Sequence, residues 1–157
     1  MRGLGLCFLF IVLITTAACS GPHWPEGEAS AATSDLAKQD QDKLQGFWRI
    51  ESSMWNGAEE PPIAKKIRIL FKDDKFIQVD IDGNRLTHTI KLIPGQNPKA
   101  LDFWDKHGSP ASPGIYSLEG DVFKWCSAGG NNRVRPTSFA STPGSKQSLM
   151  VLRREKN

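Results

Sequence analysis

The sequence has few of the residues that build catalytic and metal sites. It contains three cysteines, three histidines and one tyrosine among 157 residues. The histidines, His23, His88 and His107, are far apart, and none lies at metal-ligand spacing from another histidine, a cysteine or a carboxylate. The sequence therefore predicts no metal, no cofactor and no catalytic residue.

The chain also lacks a strong excess of charge of either sign. Its 20 lysines and arginines are opposed by 17 aspartates and glutamates. Proteins that bind nucleic acid carry a basic patch or stripe that neutralises phosphates, and this mixed distribution provides none. Nucleic acid is therefore not an expected partner.

No apolar run is long enough to span a membrane. The longest extends from Leu4 to Ile14 behind Arg2, about half of the ~20 apolar residues that a spanning helix needs. A positive residue, a short apolar run and then small residues form the layout of a secretory signal peptide. We predict that residues 1–18 are this signal and that the protein is exported.

The residues at the end of this signal are Thr16-Ala17-Ala18-Cys19. They resemble the lipobox of bacterial lipoproteins, although that family prefers leucine where this chain has Thr16. The resemblance implies that Cys19 is diacylated and anchors the protein in a bilayer of the cell envelope, because two acyl chains hold a protein durably. Ordinary cleavage at the same bond is the alternative, and it would give a periplasmic or secreted protein.

The remaining cysteines constrain the covalent structure. Cys7 is removed with the signal, so an acylated Cys19 leaves Cys126 without a partner. If Cys19 is not acylated, a disulfide between Cys19 and Cys126 is possible, because exported proteins meet an oxidising environment. Both alternatives remain open at the level of sequence.

The segment after Cys19 predicts a tether and then a short helix. Residues 19–33 are rich in glycine, proline, serine and alanine, a composition typical of a flexible tether. Ser34 is a suitable N-cap for a helix that ends at Gln45, with Gly46 as the left-handed stop. We predict one folded domain over residues 34–157.

From Phe47 onward the apolar residues recur with a period of two, and turn residues recur about every eight to twelve positions, which is typical of an all-β sandwich or barrel. Short turns join antiparallel neighbours, and closing the sheet removes its edges. We predict a single antiparallel up-and-down β-barrel with a short N-terminal helix. The eight predicted strands are Phe47–Met54, Lys66–Phe71, Phe76–Ile81, Arg85–Leu92, Lys99–Trp104, Gly114–Glu119, Val122–Ser127 and Ser148–Arg154.

Six spaced motifs lie between Asp42 and Arg154. They are Leu44-Gln45-Gly46-Phe47-Trp48, Pro98-Lys99-Ala100-Leu101-Asp102, Gly114-Ile115-Tyr116-Ser117-Leu118-Glu119-Gly120-Asp121, Trp125-Cys126, Arg135-Pro136-Thr137-Ser138-Phe139 and Leu152-Arg153-Arg154. Together they resemble a small domain family that is abundant in planctomycetes and their relatives. This resemblance implies a lipocalin-like barrel and no established activity.

The pair Gly46 and Trp48 also resembles the first-strand motif of lipocalins. In that family the indole closes one barrel end beneath an arginine of the last strand, and the matching residue here is Arg153 or Arg154. A guanidinium over an indole contributes roughly 0.5 to 2 kcal/mol. The implied role is structural closure of the barrel.

Three hypotheses for function follow. The first is a lipid-anchored, lipocalin-like module that holds a small, mainly apolar molecule in the barrel mouth. The second is a structural or interaction module that binds another envelope protein, and the third is a hydrolase that uses Asp102 or His88. The candidate lining of the ligand pocket is Trp48, Phe71, His88, Tyr116 and Trp125, with Arg135 as a partner for an anion.

Overall fold

The computed structural model describes residues 26–104, 107–108, 110–130 and 132–156. The predicted signal peptide and Cys19 lie outside these ranges. Among the described residues, no helix has the length and apolar character needed to cross a bilayer. The elements are α1 (Glu26–Leu44), β1 (Gly46–Trp55), β2 (Ala58–Glu59), a 3-10 helix (Pro62–Lys66), β3 (Arg68–Lys72), β4 (Lys75–Val79), β5 (Arg85–Ile93), β6 (Ala100–Trp104), β7 (Pro110–Glu119), β8 (Val122–Ala128) and β9 (Gln147–Arg154).

The strands form one antiparallel sheet that closes on itself. Neighbouring strands pair in chain order from β3 to β9, and β1 joins both β3 and β9. Trp48 is thus opposite Ile69 on one side and opposite Arg154 on the other. The two-residue β2 pairs only with β1, so eight strands make the barrel. The predicted eight-stranded up-and-down barrel is confirmed.

The two ends of the barrel differ. At one end β1 begins at Gly46, β9 ends at Arg154 and helix α1 arrives, and we call this the closed end. At the other end β1 finishes at Trp55 and β9 begins at Gln147, and we call this the open end.

Helix α1 is longer than the sequence analysis predicted. It begins at Glu26, so the prediction of an N-cap at Ser34 was wrong and residues 26–33 of the predicted tether are helical. These eight residues include alanines and glutamates, which favour helix, and the overall composition concealed that preference. The predicted stop is confirmed: the helix ends at Leu44, and Gly46 has a φ of +108°, a conformation that glycine adopts readily.

The interior is filled at the closed end and in the middle. Trp48, Phe71 and Phe123 meet edge to face, with ring centroids 5.4 to 6.2 Å apart. Such aromatic pairs add about 0.5 to 1.5 kcal/mol each to the effect of burial. The other buried members of this core are Leu44, Ile50, Ile69, Phe76, Ile90, Leu92, Leu101, Phe103, Tyr116, Trp125, Met150 and Leu152.

A second, smaller core lies on the outside of the barrel. Ala100, Ile115 and Cys126 stand side by side on β6, β7 and β8 and are fully buried, yet they do not belong to the interior cluster. Residues 132–146, which we call the covering segment, shield them. The Cys126 thiol donates a hydrogen bond to the Ala140 carbonyl across 3.3 Å, and the Lys124 ammonium lies 5.7 Å from the Phe139 ring.

Candidate binding site at the open end

The interior opens into a pocket of about 180 Å³ near the open end. Its apolar part is made by three aromatic rings. The Phe103 ring centroid lies 5.2 Å from that of Phe76, 4.6 Å from that of Trp125 and 6.0 Å from that of His88. The remaining lining residues are Gln78, Ser112, Ser127, Ala128 and Gly129.

Strand alternation explains why these side chains meet. Phe76 is opposite His88 in the pairing of β4 with β5, and side chains two positions apart on a strand share a face. Gln78 therefore points to the same side as Phe76. Phe76 and Phe103 form what we call the aromatic wall, and the small Ser112 is the strand neighbour of Phe103. On β8 the small Ser127 shares a face with Trp125, and larger residues at these two serines would fill the space.

Gly114 permits the position of the Trp125 ring. A Cβ atom at Gly114 would lie 3.0 Å from the Trp125 indole nitrogen and 2.8 Å from the Cys126 carbonyl oxygen, which is too close for a real side chain. The indole N–H is buried and has no hydrogen-bond partner within the described residues. An unmade buried hydrogen bond costs roughly 1 to 3 kcal/mol. One donor is thus left unmatched beside the pocket.

Apart from Arg135, the residues predicted to line a pocket fall into two groups. His88 and Trp125 line the pocket at the open end. Trp48, Phe71 and Tyr116 are at most 1% exposed and belong to the packed core, so a cavity that runs the length of the barrel is not present in the described structure.

Arg135 lies outside the barrel, where it pairs with Asp102 across 2.7 Å and donates to the Gly114 carbonyl across 2.6 Å. The prediction that Arg135 would meet an anion in the pocket therefore needs correction. The covering segment carries this arginine over the outer face of β6 and β7. The alternation of side chains along a strand could not predict the position of Arg135, because Arg135 is not on a strand.

Arg154 is the arginine that caps the closed end. Its guanidinium carbon lies 4.3 Å from the centroid of the Trp48 ring, and its Nη1 donates to the Gln45 carbonyl across 2.7 Å. The same side chain donates to the Lys43 carbonyl and approaches the Asp121 carboxylate. It therefore joins the end of helix α1 to the barrel.

Arg153 and Gly46 complete the set predicted for barrel closure. Arg153 points away from Trp48 and pairs with Glu51 across 3.1 Å on the outer face. Gly46 lies against Arg154, because a Cβ at this glycine would be 3.7 Å from the arginine Nη1. Closure thus involves Gly46, Trp48 and Arg154, while Arg153 forms a surface ion pair.

A buried polar group that the sequence did not reveal also holds the helix to the barrel. The Asp40 carboxylate accepts a hydrogen bond of 2.7 Å from the Tyr116 hydroxyl and pairs with the Lys99 ammonium across 2.7 Å. Burial, and then the hydrogen bond to Asp40 and its negative charge, raise the pKa of Tyr116 well above its usual range. Asp40 and Leu44 are four residues apart and share a helix face, which is the one signal that could have indicated a buried carboxylate.

The hydrolase hypothesis gains little from the geometry. Asp102 is engaged by Arg135 outside the barrel, whereas His88 lines the pocket inside it. Burial raises the pKa of the Cys126 thiol, which disfavours the reactive thiolate. Within the described ranges, no three histidine, cysteine or carboxylate side chains are grouped so that they could hold a metal ion.

The closed end carries a larger hollow of a different kind. It measures about 450 Å³ and is lined by charged residues only, namely Arg49, Asp121, Arg153, Arg154, Glu155 and Lys156. Most of these charges already face a charge of opposite sign. The aromatic pocket at the open end is therefore the better candidate for an apolar ligand.

Comparison with known proteins adds one structural likeness. No family model matches the chain, and no curated protein matches it. A solved structure similar to it is apocrustacyanin C2, with 17% sequence identity, 81% of this chain and 69% of that chain covered, and a TM-score of 0.40. The barrel itself is established by its own strand pairing. The resemblance to the planctomycete family stays a prediction.

Proposed function

We propose that this domain binds a small, mainly apolar molecule, about one aromatic ring in size, in the pocket at the open end. The observation that carries the proposal is the meeting of Phe76, Phe103 and Trp125 around an opening that polar side chains border. Ligand sites are typically apolar hollows with a few polar groups that fix orientation.

The size of the pocket limits the ligand. Its volume of about 180 Å³ is close to that of a ~150 Å³ engineered apolar cavity that accepts benzene. Drug-sized ligands occupy roughly 300 to 1,000 Å³. A single ring therefore fits inside the pocket, whereas a polycyclic molecule does not.

The polar groups favour a ring with one hydroxyl or a similar substituent. His88, Gln78 and Ser127 border the aromatic wall, and each can donate or accept a hydrogen bond. The unmatched indole N–H of Trp125 adds a donor close to the same wall. A phenol matches this combination of apolar surface and few polar contacts.

A titration with para-methylphenol tests the proposal. Calorimetry should give saturable binding to the wild-type domain, and Gln78→Phe should abolish it by placing a ring in the pocket mouth. Thr87→Phe is the matched control, because Thr87 is exposed next to His88 on the opposite face of the same hairpin. The proposal is refuted if the wild type does not bind, or if both variants lose binding equally.

We further propose that the protein is an envelope lipoprotein anchored through Cys19. The burial of Cys126 beneath the covering segment supports this choice, since a disulfide to Cys19 would require that segment to move. Mass spectrometry of the N-terminal peptide from the full-length protein, expressed in a bacterial host, should find a diacylated cysteine. An unmodified Cys19, or a peptide linked to Cys126, would refute the anchor.

A further inference from the structure

Exposed apolar side chains stand at the mouth of the pocket. Leu86 is 56% exposed and Trp55 is 41% exposed, although both are large hydrophobic residues. Single exposed apolar residues are common on protein surfaces, so the meaning of these two depends on what they adjoin. The two side chains lie on different sides of the opening, and their contacts with the lining residues show how each relates to the pocket.

Leu86 continues the pocket wall along the β4–β5 hairpin. It is opposite Gln78 in the strand pairing, and it shares a strand face with His88, two positions further along. Two residues of a strand span about 7 Å, so Leu86 lies roughly that far beyond His88. The aromatic wall, His88 and Leu86 thus form one strip that leads from the pocket to solvent.

Trp55 is held against the opposite wall. A Cβ atom at Gly129 would lie 2.2 Å from the Trp55 ring, which shows that the indole packs directly on this glycine. Gly129 also lines the pocket. Trp55 therefore borders the opening as a fixed wall, whereas Leu86 offers the freer apolar surface.

The volume inside the pocket is too small to explain this exposed strip. The pocket of about 180 Å³ has room for a single ring, and a ring held there would leave Leu86 in water. A ligand that also carries an alkyl chain would cover Leu86 and remove its apolar surface from water, at a gain that grows with each methylene.

We propose that the natural ligand is an alkyl-substituted ring, with the ring in the pocket and the chain lying over Leu86 on the β4–β5 hairpin. This inference rests on the proposed function, because it places the ring in the same pocket. It adds the class of ligand and a second contact surface outside the barrel.

A series of probes from para-methylphenol to para-hexylphenol tests the inference. With the wild-type domain, the dissociation constant should fall about two- to fourfold for each added methylene until the chain passes Leu86. In Leu86→Ser the constant for para-methylphenol should be unchanged, while most of the gain from the longer chains should be lost.

Leu36→Ser is the matched control, since Leu36 is also an exposed leucine, 47% against 56% for Leu86, and lies on helix α1 away from the open end. It should preserve the full dependence on chain length. The inference is overturned if affinity does not rise with chain length, or if it rises equally in Leu86→Ser and in the wild type. If para-methylphenol itself does not bind, the proposed function fails instead, so the two failures are distinguishable.

Discussion

The contact of Tyr116 with Asp40 should determine how firmly helix α1 closes the barrel. Tyr116→Phe removes one hydroxyl and leaves the ring in place. The Asp40 carboxylate is only 6% exposed, and it would keep its pairing with Lys99 but lose a hydrogen bond of 2.7 Å. A hydrogen bond to a charged group contributes about 1.5 to 3 kcal/mol, and we expect a loss of free energy of unfolding in that range.

This loss corresponds to a fall in Tm of roughly 5 to 10 °C for a domain of this size. Urea unfolding followed by circular dichroism measures the loss of free energy of unfolding. Ser117→Ala is a neighbouring control on the outer face of β7. A change below about 0.5 kcal/mol, the range of ordinary surface substitutions, would refute a stabilising role for the buried hydrogen bond.

The same contact has a pH signature. The folded-state pKa of Tyr116 is raised above the unfolded value of about 10, so the folded protein retains a proton that the unfolded chain loses. The corresponding stability is complete below pH ~10 and decreases as the pH rises above that value. Tyr116 is the chain's one tyrosine, so ultraviolet difference absorbance reports its ionisation, and Asp40→Asn should make that ionisation easier.

Three further experiments test other parts of the structure. Gly114→Ala should destabilise the domain by about 1 to 3 kcal/mol in urea unfolding, because the new methyl group would contact the Trp125 ring and neighbouring backbone; wild-type stability would contradict that contact. Arg154→Gln should lower the free energy of unfolding by roughly 1 to 2 kcal/mol, because the contact with Trp48 is lost. Arg153→Gln should lower it less, because Arg153 forms only a surface ion pair with Glu51. Cys126 should react with iodoacetamide only on unfolding, as mass spectrometry would show, because it is buried and burial raises its pKa.

Local sequence signals located all eight barrel strands, although β7 begins at Pro110 and not at the predicted Gly114, and the short β2 was not predicted. Alternating apolar residues indicated which face of each strand points inward, as in Leu101 and Phe103 of β6, and both are in the core. Asn56 and Gly57, a pair typical of tight turns, both have positive φ values after β1. These features depend on residues close together in the chain, so the sequence alone could predict them.

The site depends on contacts that sequence separation conceals. Asp40 and Tyr116 are 76 positions apart, and nothing in either segment indicates the other. Phe71 and Phe103 both point inward, yet only Phe103 reaches the pocket. Phe103 has the small Ser112 as its strand neighbour, whereas Phe71 packs against the rings of Phe76 and Phe123. These neighbours depend on strand register and on contacts between distant strands.

The most direct test of the pocket is a map of backbone amide chemical shifts during titration with para-methylphenol. The account predicts saturable shifts on β4, β5 and β8 around Gln78, His88 and Ser127, with little change at Asp40 and Arg154 on the closed end. The absence of saturable shifts, or shifts concentrated at the closed end, would contradict a binding site at the open end of the barrel.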